Sequence, residues 1–118
     1  MRTIAIMDER KVPAFRQDIG RRLAELDQED VLGERSQRVV ELDQQSVGRL
    51  SRQDALLNQS MAKATQARRN TYRRALQAAL RRIEEGEFGY CADCGEDIDR
   101  ARLELEPTVL RCMSCARG

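Results

Sequence analysis

Four cysteines in two close pairs, Cys91-x2-Cys94 and Cys112-x2-Cys115 with 17 residues between them, constrain this chain more than any other feature. The spacing falls in the C-x2-C-x15–20-C-x2-C window of zinc modules. Each pair forms a knuckle that offers two sulfurs to one ion, and four thiolates complete a closed, tetrahedral, structural site. Gly95 follows the first knuckle, where a residue free to take positive φ is useful. Ala116 stands at the same place in the second knuckle and lacks that freedom. One structural Zn2+ held by Cys91, Cys94, Cys112 and Cys115 is therefore expected. A four-thiolate zinc carries a formal charge of about −2, and Arg100, Arg102, Arg111 and Arg117 lie near enough in sequence to offset it. The rival chemistries are an iron–sulfur cluster and a dithiol redox pair. The second normally sits at a helix start in a thioredoxin-like fold, and no such pattern is present. A catalytic zinc is not expected, because the ligands are all thiolates and no His stands ready as a base.

Composition explains why such a staple is needed. Aromatic residues make up 3% of the 118 residues and charged residues 35%, with neither Trp nor His. A thick core is out of reach, whereas long helices with a thin apolar seam are not. The first residues, MRTIAIMDERK, hold no secretory apolar region, and no apolar run reaches membrane-spanning length. A cytoplasmic protein is expected, with no membrane partner and with thiols kept reduced rather than paired in a disulfide framework.

The helical pattern comes before the cysteines. Residues 1–7 read as a loose tail. Val12, Phe15, Ile19, Leu23 and Leu26 recur at helical spacing, which predicts a first helix from about Asp8 to Asp30. Pro13 lies near its start, where a missing N–H is harmless. Gly33 and Gly48 interrupt the next stretch, and Val39, Val40 and Leu42 fit no clean stripe. Residues 31–50 are read as a connection with some helix in it. Ser51 and Asp54 then have the spacing of a capping box before an apolar run, and neither Gly nor Pro occurs again before Gly86. A second helix from Ser51 to about Glu85 follows, about 50 Å long. Leu57, Met61, Ala64, Tyr72, Ala75, Ala79 and Ile83 are assigned to its apolar face. So thin a stripe needs a partner along its length. The expected fold is mainly α: an antiparallel helical hairpin, or coiled coil, over 1–85, with its tip near 43–55, and a small C-terminal four-Cys zinc finger over 86–118.

The second helix is also basic. Between Ala55 and Ile83 there are seven Lys or Arg residues and no acid. Arg68, Arg69, Arg73 and Arg74 form a basic face that suits a nucleic acid or an acidic protein surface. It also suits a solvated face paired with Glu25, Asp27 and Glu29 of the first helix. Tyr72 is the one aromatic there and fits the apolar side, so direct DNA binding is not expected. Phe88 and Tyr90 are expected to pack the finger against the hairpin.

The block EEGEFGYCADCGEDIDRARLELEPTVLRCMSC resembles the DksA/TraR family of C4 zinc-finger transcription regulators. The resemblance rests on Phe88-Gly89-Tyr90-Cys91, Cys94-Gly95, Ile98, Arg102-Leu103-Glu104, Pro107 and the second cysteine pair. It is strong over 84–115 and weaker over 8–50. The chain lacks the long C-terminal helix that follows the finger in full-length DksA, so it resembles the shorter members. The resemblance implies a regulator that binds RNA polymerase rather than DNA and is not an enzyme. It also implies that the coiled coil enters the secondary channel and that acidic residues at its tip act near the active site. The family's tip pattern, Asp-x-x-Asp-x-Ala, is approached here by Ser51-Arg52-Gln53-Asp54-Ala55. By that resemblance Asp43, Ser51, Asp54 and Ala55 are the tip residues that contact polymerase, and Asp54 also suits a plain helix cap. Guanosine tetraphosphate binding is not carried over. Glu106 and Ala116 stand where the family has Arg and Lys, and Ala75, beside Arg74, replaces another Lys. An acid facing a pyrophosphate is repulsive. A zinc-ribbon adaptor working through the basic helix, and a thiol redox sensor, remain the other readings of the same residues.

Overall fold

The computed structural model describes residues 11–47 and 52–117 of the chain, with side chains described for 11–39 and 52–117. It contains α1 (Val12–Val47), α2 (Arg52–Glu85), α3 (Arg100–Leu105) and α4 (Met113–Ala116). The described residues form no strand beyond an isolated antiparallel bridge between Tyr90 and Asp97. No described helix is long and apolar enough to cross a membrane. The expected fold class therefore holds: two long antiparallel helices, then a C-terminal four-Cys module.

The first helix corrects the sequence reading. Residues 31–47 continue α1 rather than connecting it to α2. A glycine inside a helix costs about 1 kcal/mol relative to alanine, and here the glycine makes room for a cross-helix ion pair. A Cβ on Gly33 would stand 3.1 Å from the guanidinium NH2 of Arg69. The same Arg69 donates from Nε to Oδ1 of Asp30 at 2.7 Å. The glycine that reads as a break in the sequence is thus a passage for that side chain. The predicted cap at Ser51 lies outside the described residues. Asp54 is in the first turn of α2, where a carboxylate suits the positive helix end.

The chain gathers into two compact units. One comprises Leu23–Arg73; the other joins Met1–Arg22 to Arg74–Gly118. In the unit of Leu23–Arg73, Leu26 is buried, while Val31, Leu32, Val39, Leu56, Leu57 and Met61 are about half exposed or more. The half-buried positions of α2 in this stretch are Ala55, Asn58, Ala62, Gln66, Arg69, Asn70, Tyr72 and Arg73. Leu57 and Met61, read as seam residues, are therefore 58% and 60% exposed. The inward stripe runs through small and polar residues instead, which apolar periodicity does not mark. Polar contacts hold this seam. Asp30 accepts from Gln66 Nε2 at 3.0 Å, from Arg69, and from Arg73 NH2. Arg73 also reaches Asp27 at 3.4 Å. These contacts hold the Asp30 carboxyl below its ordinary value near 3.8, the Arg69 hydrogen bond foremost.

The second unit holds the apolar core. Phe15 and Ile19 of α1, Leu76 and Ala79 of α2, and Phe88, Tyr90, Cys91, Ile98 and Leu103 after α2 are all buried. Leu76, fully buried, was absent from the predicted face. The rings of Phe15 and Phe88 meet with centroids 5.2 Å apart and planes tilted by 55°, a favoured aromatic geometry. Phe88 thus packs against the hairpin as expected. Arg22 adds polar ties to the finger, donating from NH2 to the Leu105 carbonyl at 3.1 Å and pairing with Glu106 at 3.8 Å.

Candidate metal centre

The path into the metal site begins at the end of α2. Gly86 adopts φ 75°. Its N–H donates to the Ile83 carbonyl at 3.2 Å, and the N–H of Glu87 donates to the Arg82 carbonyl at 2.8 Å. That pair of bonds is a Schellman cap, which needs a left-handed residue at Gly86. The chain then turns through Gly89, φ 93°, and Ile98 N–H bonds the Gly89 carbonyl at 2.8 Å. Cys91 N–H donates to Glu96 at 2.7 Å, and Ala92 N–H donates to Leu110 at 2.7 Å. The last bond brings the segment before Cys112 alongside the first knuckle.

The two knuckles are built alike by different means. Gly95 N–H donates to the Cys91 carbonyl at 3.0 Å, and Ala116 N–H donates to the Cys112 carbonyl at 2.9 Å. The first knuckle reaches this closure with Gly95 at φ 77°. The second reaches it inside α4, so Ala116 never needs positive φ. That is how the second knuckle manages without a glycine.

The sulfurs of Cys91, Cys94, Cys112 and Cys115 all lie within 4.8 Å of one another. Cys94 and Cys112 are 3.6 Å apart. A tetrahedral zinc with Zn–S bonds near 2.3 Å needs sulfur–sulfur edges of about 3.8 Å. The donor set and its spacing fit one such ion. Thiol acidities point the same way. Backbone N–H groups of Cys94 and Cys112 draw the Cys91 thiol down from 9.0 to about 6. The Glu96 backbone lowers Cys94, but Cys91, burial and Cys112 together leave it raised. Cys112, Cys91 and Cys94 push Cys115 up to about 12. Gathering the sulfurs thus penalises thiolate charge at Cys94 and Cys115, a penalty that a shared cation relieves. When bound, zinc supplies that charge and closes the fold around itself.

Three of the arginines assigned to charge balance, Arg100, Arg102 and Arg111, have distinct partners. Arg111 bridges the knuckles, its Nε 3.0 Å from Asp93 Oδ2. Arg102 NH1 donates to the Arg111 carbonyl at 2.9 Å, and Arg100 pairs with Glu104 at 3.5 Å along α3. Sequence reasoning missed Arg82. Its NH2 donates to the carbonyls of Glu87 at 3.1 Å and Tyr90 at 2.7 Å. The available signal was a basic residue in the last turn of a helix, a position suited to binding carbonyls.

Of the other predicted site residues, Asp43 lies within α1, and Asp54 and Ala55 lie in α2. Ser51 falls outside the described residues. On the basic face, Arg69 and Arg73 meet Asp30, and Arg68 donates to Thr65 at 3.3 Å. Asp27 takes part as expected, while Asp30 was not foreseen. Glu106 accepts from the Thr108 hydroxyl at 3.0 Å.

Comparison with known proteins points one way. The model of the prokaryotic dksA/traR C4-type zinc finger matches residues 86–118. RNA polymerase-binding transcription factor DksA of Haemophilus influenzae is 42% identical over 40 residues, covering 34% of this chain and 28% of that protein. Its Caulobacter vibrioides counterpart is 53% identical over 34 residues, covering 29% and 24%. The match thus spans about a quarter of the length of these curated relatives. The structure of transcription factor DksA2 from Pseudomonas aeruginosa shares the fold across 99% of this chain and 88% of its own, with TM-score 0.81 at 24% identity.

Proposed function

We propose, from the premise that this chain is a DksA-like member of the DksA/TraR C4-type zinc-finger family, that it binds RNA polymerase and regulates transcription without being an enzyme. The observation that carries the reading is the four-Cys finger matched over residues 86–118, together with a 34-residue stretch 53% identical to a factor named for polymerase binding. The zinc is structural in this reading: its four thiolates leave no open position for a reacting group. Residues 1–85 are the arm and 86–118 the finger. The tip, near 43–55, enters the secondary channel and acts near the active site through Asp43, Ser51, Asp54 and Ala55. Arg68, Arg69, Arg73 and Arg74 are the basic face to test against the acidic channel, and Arg69 and Arg73 also meet Asp30. The same pairing weighs against an adaptor that grips nucleic acid through this face. The setting is the bacterial cytoplasm.

The test is capture of bacterial core RNA polymerase by the zinc-loaded chain, followed by promoter-complex lifetimes. Wild type, Asp43→Asn, Asp54→Asn and the double variant are compared. The reading expects all forms to bind and the double variant to lose the change in lifetime. Failure of zinc-loaded wild type to bind would overturn it.

A further inference from the structure

Cys91 and Cys112 open the two knuckles, and each is preceded by a carbonyl that an arginine holds. Arg82 NH2 donates to the Tyr90 carbonyl at 2.7 Å, and Arg102 NH1 donates to the Arg111 carbonyl at 2.9 Å. Both arginines sit in the last turn of the helix preceding their knuckle, Arg82 in α2 and Arg102 in α3. There a positive charge suits the negative helix end. The backbone carbonyls of the same two residues close those helices. Arg82 accepts from Glu87 at 2.8 Å and Phe88 at 3.1 Å, and Arg102 accepts from Glu106 at 2.9 Å. One residue thus ties down the helix end with its backbone and the start of a knuckle with its side chain, once at each cysteine pair.

We propose that Arg82 and Arg102 are a matched pair of positioning residues for the metal centre. A peptide unit is planar, so holding the carbonyl before a cysteine fixes the plane from which that cysteine departs. At Cys91 the plane is held at both ends, by Arg82 on the Tyr90 oxygen and by the Glu96 carbonyl on the Cys91 N–H at 2.7 Å. Each arginine also carries a permanent positive charge at the edge of a cluster whose net charge is about −2 with zinc bound. The two are unequal. Arg82 serves two carbonyls, and its Tyr90 bond is part-buried. Arg102 serves the Arg111 carbonyl through a more exposed bond. A charged donor to a shielded carbonyl contributes more than one in water, so Arg82 carries the larger share. The proposal concerns the metal centre and stands whether or not the chain binds polymerase.

The experiment uses the full chain loaded with zinc, or with cobalt(II) as a spectroscopic stand-in. Variants are Arg82→Met, Arg82→Lys, Arg102→Met and Arg102→Lys. Arg100→Met is the control: the sequence assigned Arg100 to charge balance, but in the structure it pairs with Glu104 along α3 and holds neither knuckle carbonyl. Metal transfer to excess chelator is timed, and the cobalt–thiolate bands are recorded. Arg82→Met is expected to weaken metal retention about 10- to 100-fold and to displace the cobalt bands. Arg102→Met acts in the same direction but less. Lysine recovers most of the loss at 102, where one carbonyl needs one donor, and only part at 82, where two do. Arg100→Met matches wild type. Retention in both Met variants equal to that of Arg100→Met would overturn the proposal. So would faster release with unchanged cobalt bands, the mark of general destabilisation. If Arg82→Met does not fold, Arg82→Lys decides at that position: an intermediate rate sustains the proposal, and a wild-type rate overturns it.

Discussion

Arg69 on α2 donates from Nε to Asp30 on α1 at 2.7 Å, across a stretch of the helix pair with little buried apolar surface. With Gln66 and Arg73 it keeps the Asp30 carboxyl ionised below its ordinary value near 3.8. The sign follows from linkage. A carboxyl depressed in the folded state contributes its stability above the unfolded value and loses it as pH falls through the lowered one. Asp30→Asn is therefore expected to melt below wild type at pH 6. The gap should narrow as pH falls under about 4 and close once both forms are neutral at that site. Thermal melts followed by helical circular dichroism across that range check it; a gap constant with pH would count against the ion pair.

Two glycines of α1 make a paired test of the Arg69 passage. A Cβ at Gly20 meets nothing within 4 Å, whereas one at Gly33 meets Arg69 at 3.1 Å. Gly20→Ala should recover the ordinary helix gain of about 1 kcal/mol. Gly33→Ala should recover less, because Arg69 must shift from its bonds to Asp30 and Gln66. Urea denaturation of the two variants gives the difference directly, and equal gains would show that Arg69 yields at no cost.

Much of the site was legible because metal chemistry writes itself as spacing: four cysteines at two fixed intervals named their ion and its geometry. Gly86 and Gly95 were legible for a similar reason, each taking positive φ where a cap or a knuckle demands it. The helix pair was legible where it is apolar, at Phe15, Ile19 and Leu26. The second helix was legible as well, from its capping spacing and the run without Gly or Pro that ends at Glu85, but the end of α1 and the seam beyond residue 30 were not. There the inward positions are Gly33, Gln37, Asn58, Ala62 and Gln66, and apolar periodicity has nothing to count. Asp30 and Arg82 escaped notice because each acts through a contact partner that helix phase alone does not supply.

The corrected seam makes its own prediction. Leu76 is fully buried and Phe88 is 5% exposed, while Leu57 is 58% exposed. Leu76→Ala should cost about 2–5 kcal/mol and Phe88→Ala about 3–5 kcal/mol. Leu57→Ala should stay within about 0.5 kcal/mol of wild type. Chemical denaturation of the zinc-loaded forms ranks them, and a Leu57→Ala loss as large as that of Leu76→Ala would restore Leu57 to the seam.

Metal loading should release protons, and the thiol acidities give the count its direction. At pH 7 Cys91, drawn to about 6, is already largely thiolate, whereas Cys94 is raised and Cys115 stands near 12. All four sulfurs bind zinc as thiolates. Loading at pH 7 must therefore expel the protons of Cys94 and Cys115 at least, and one more below pH 6 as Cys91 takes up its own. Apparent zinc affinity then rises with pH through the neutral range and falls more steeply below about 6. Calorimetric titration in buffers of different ionisation enthalpy measures the protons released at each pH. A release near zero at pH 7 would mean that the four thiols are already ionised before the metal arrives, and that the cluster's mutual repulsion is relieved by the protein itself. Substituting Cys115→Ser should remove one proton from the count at pH 7 while weakening retention, which separates the proton held by that thiol from those of its neighbours.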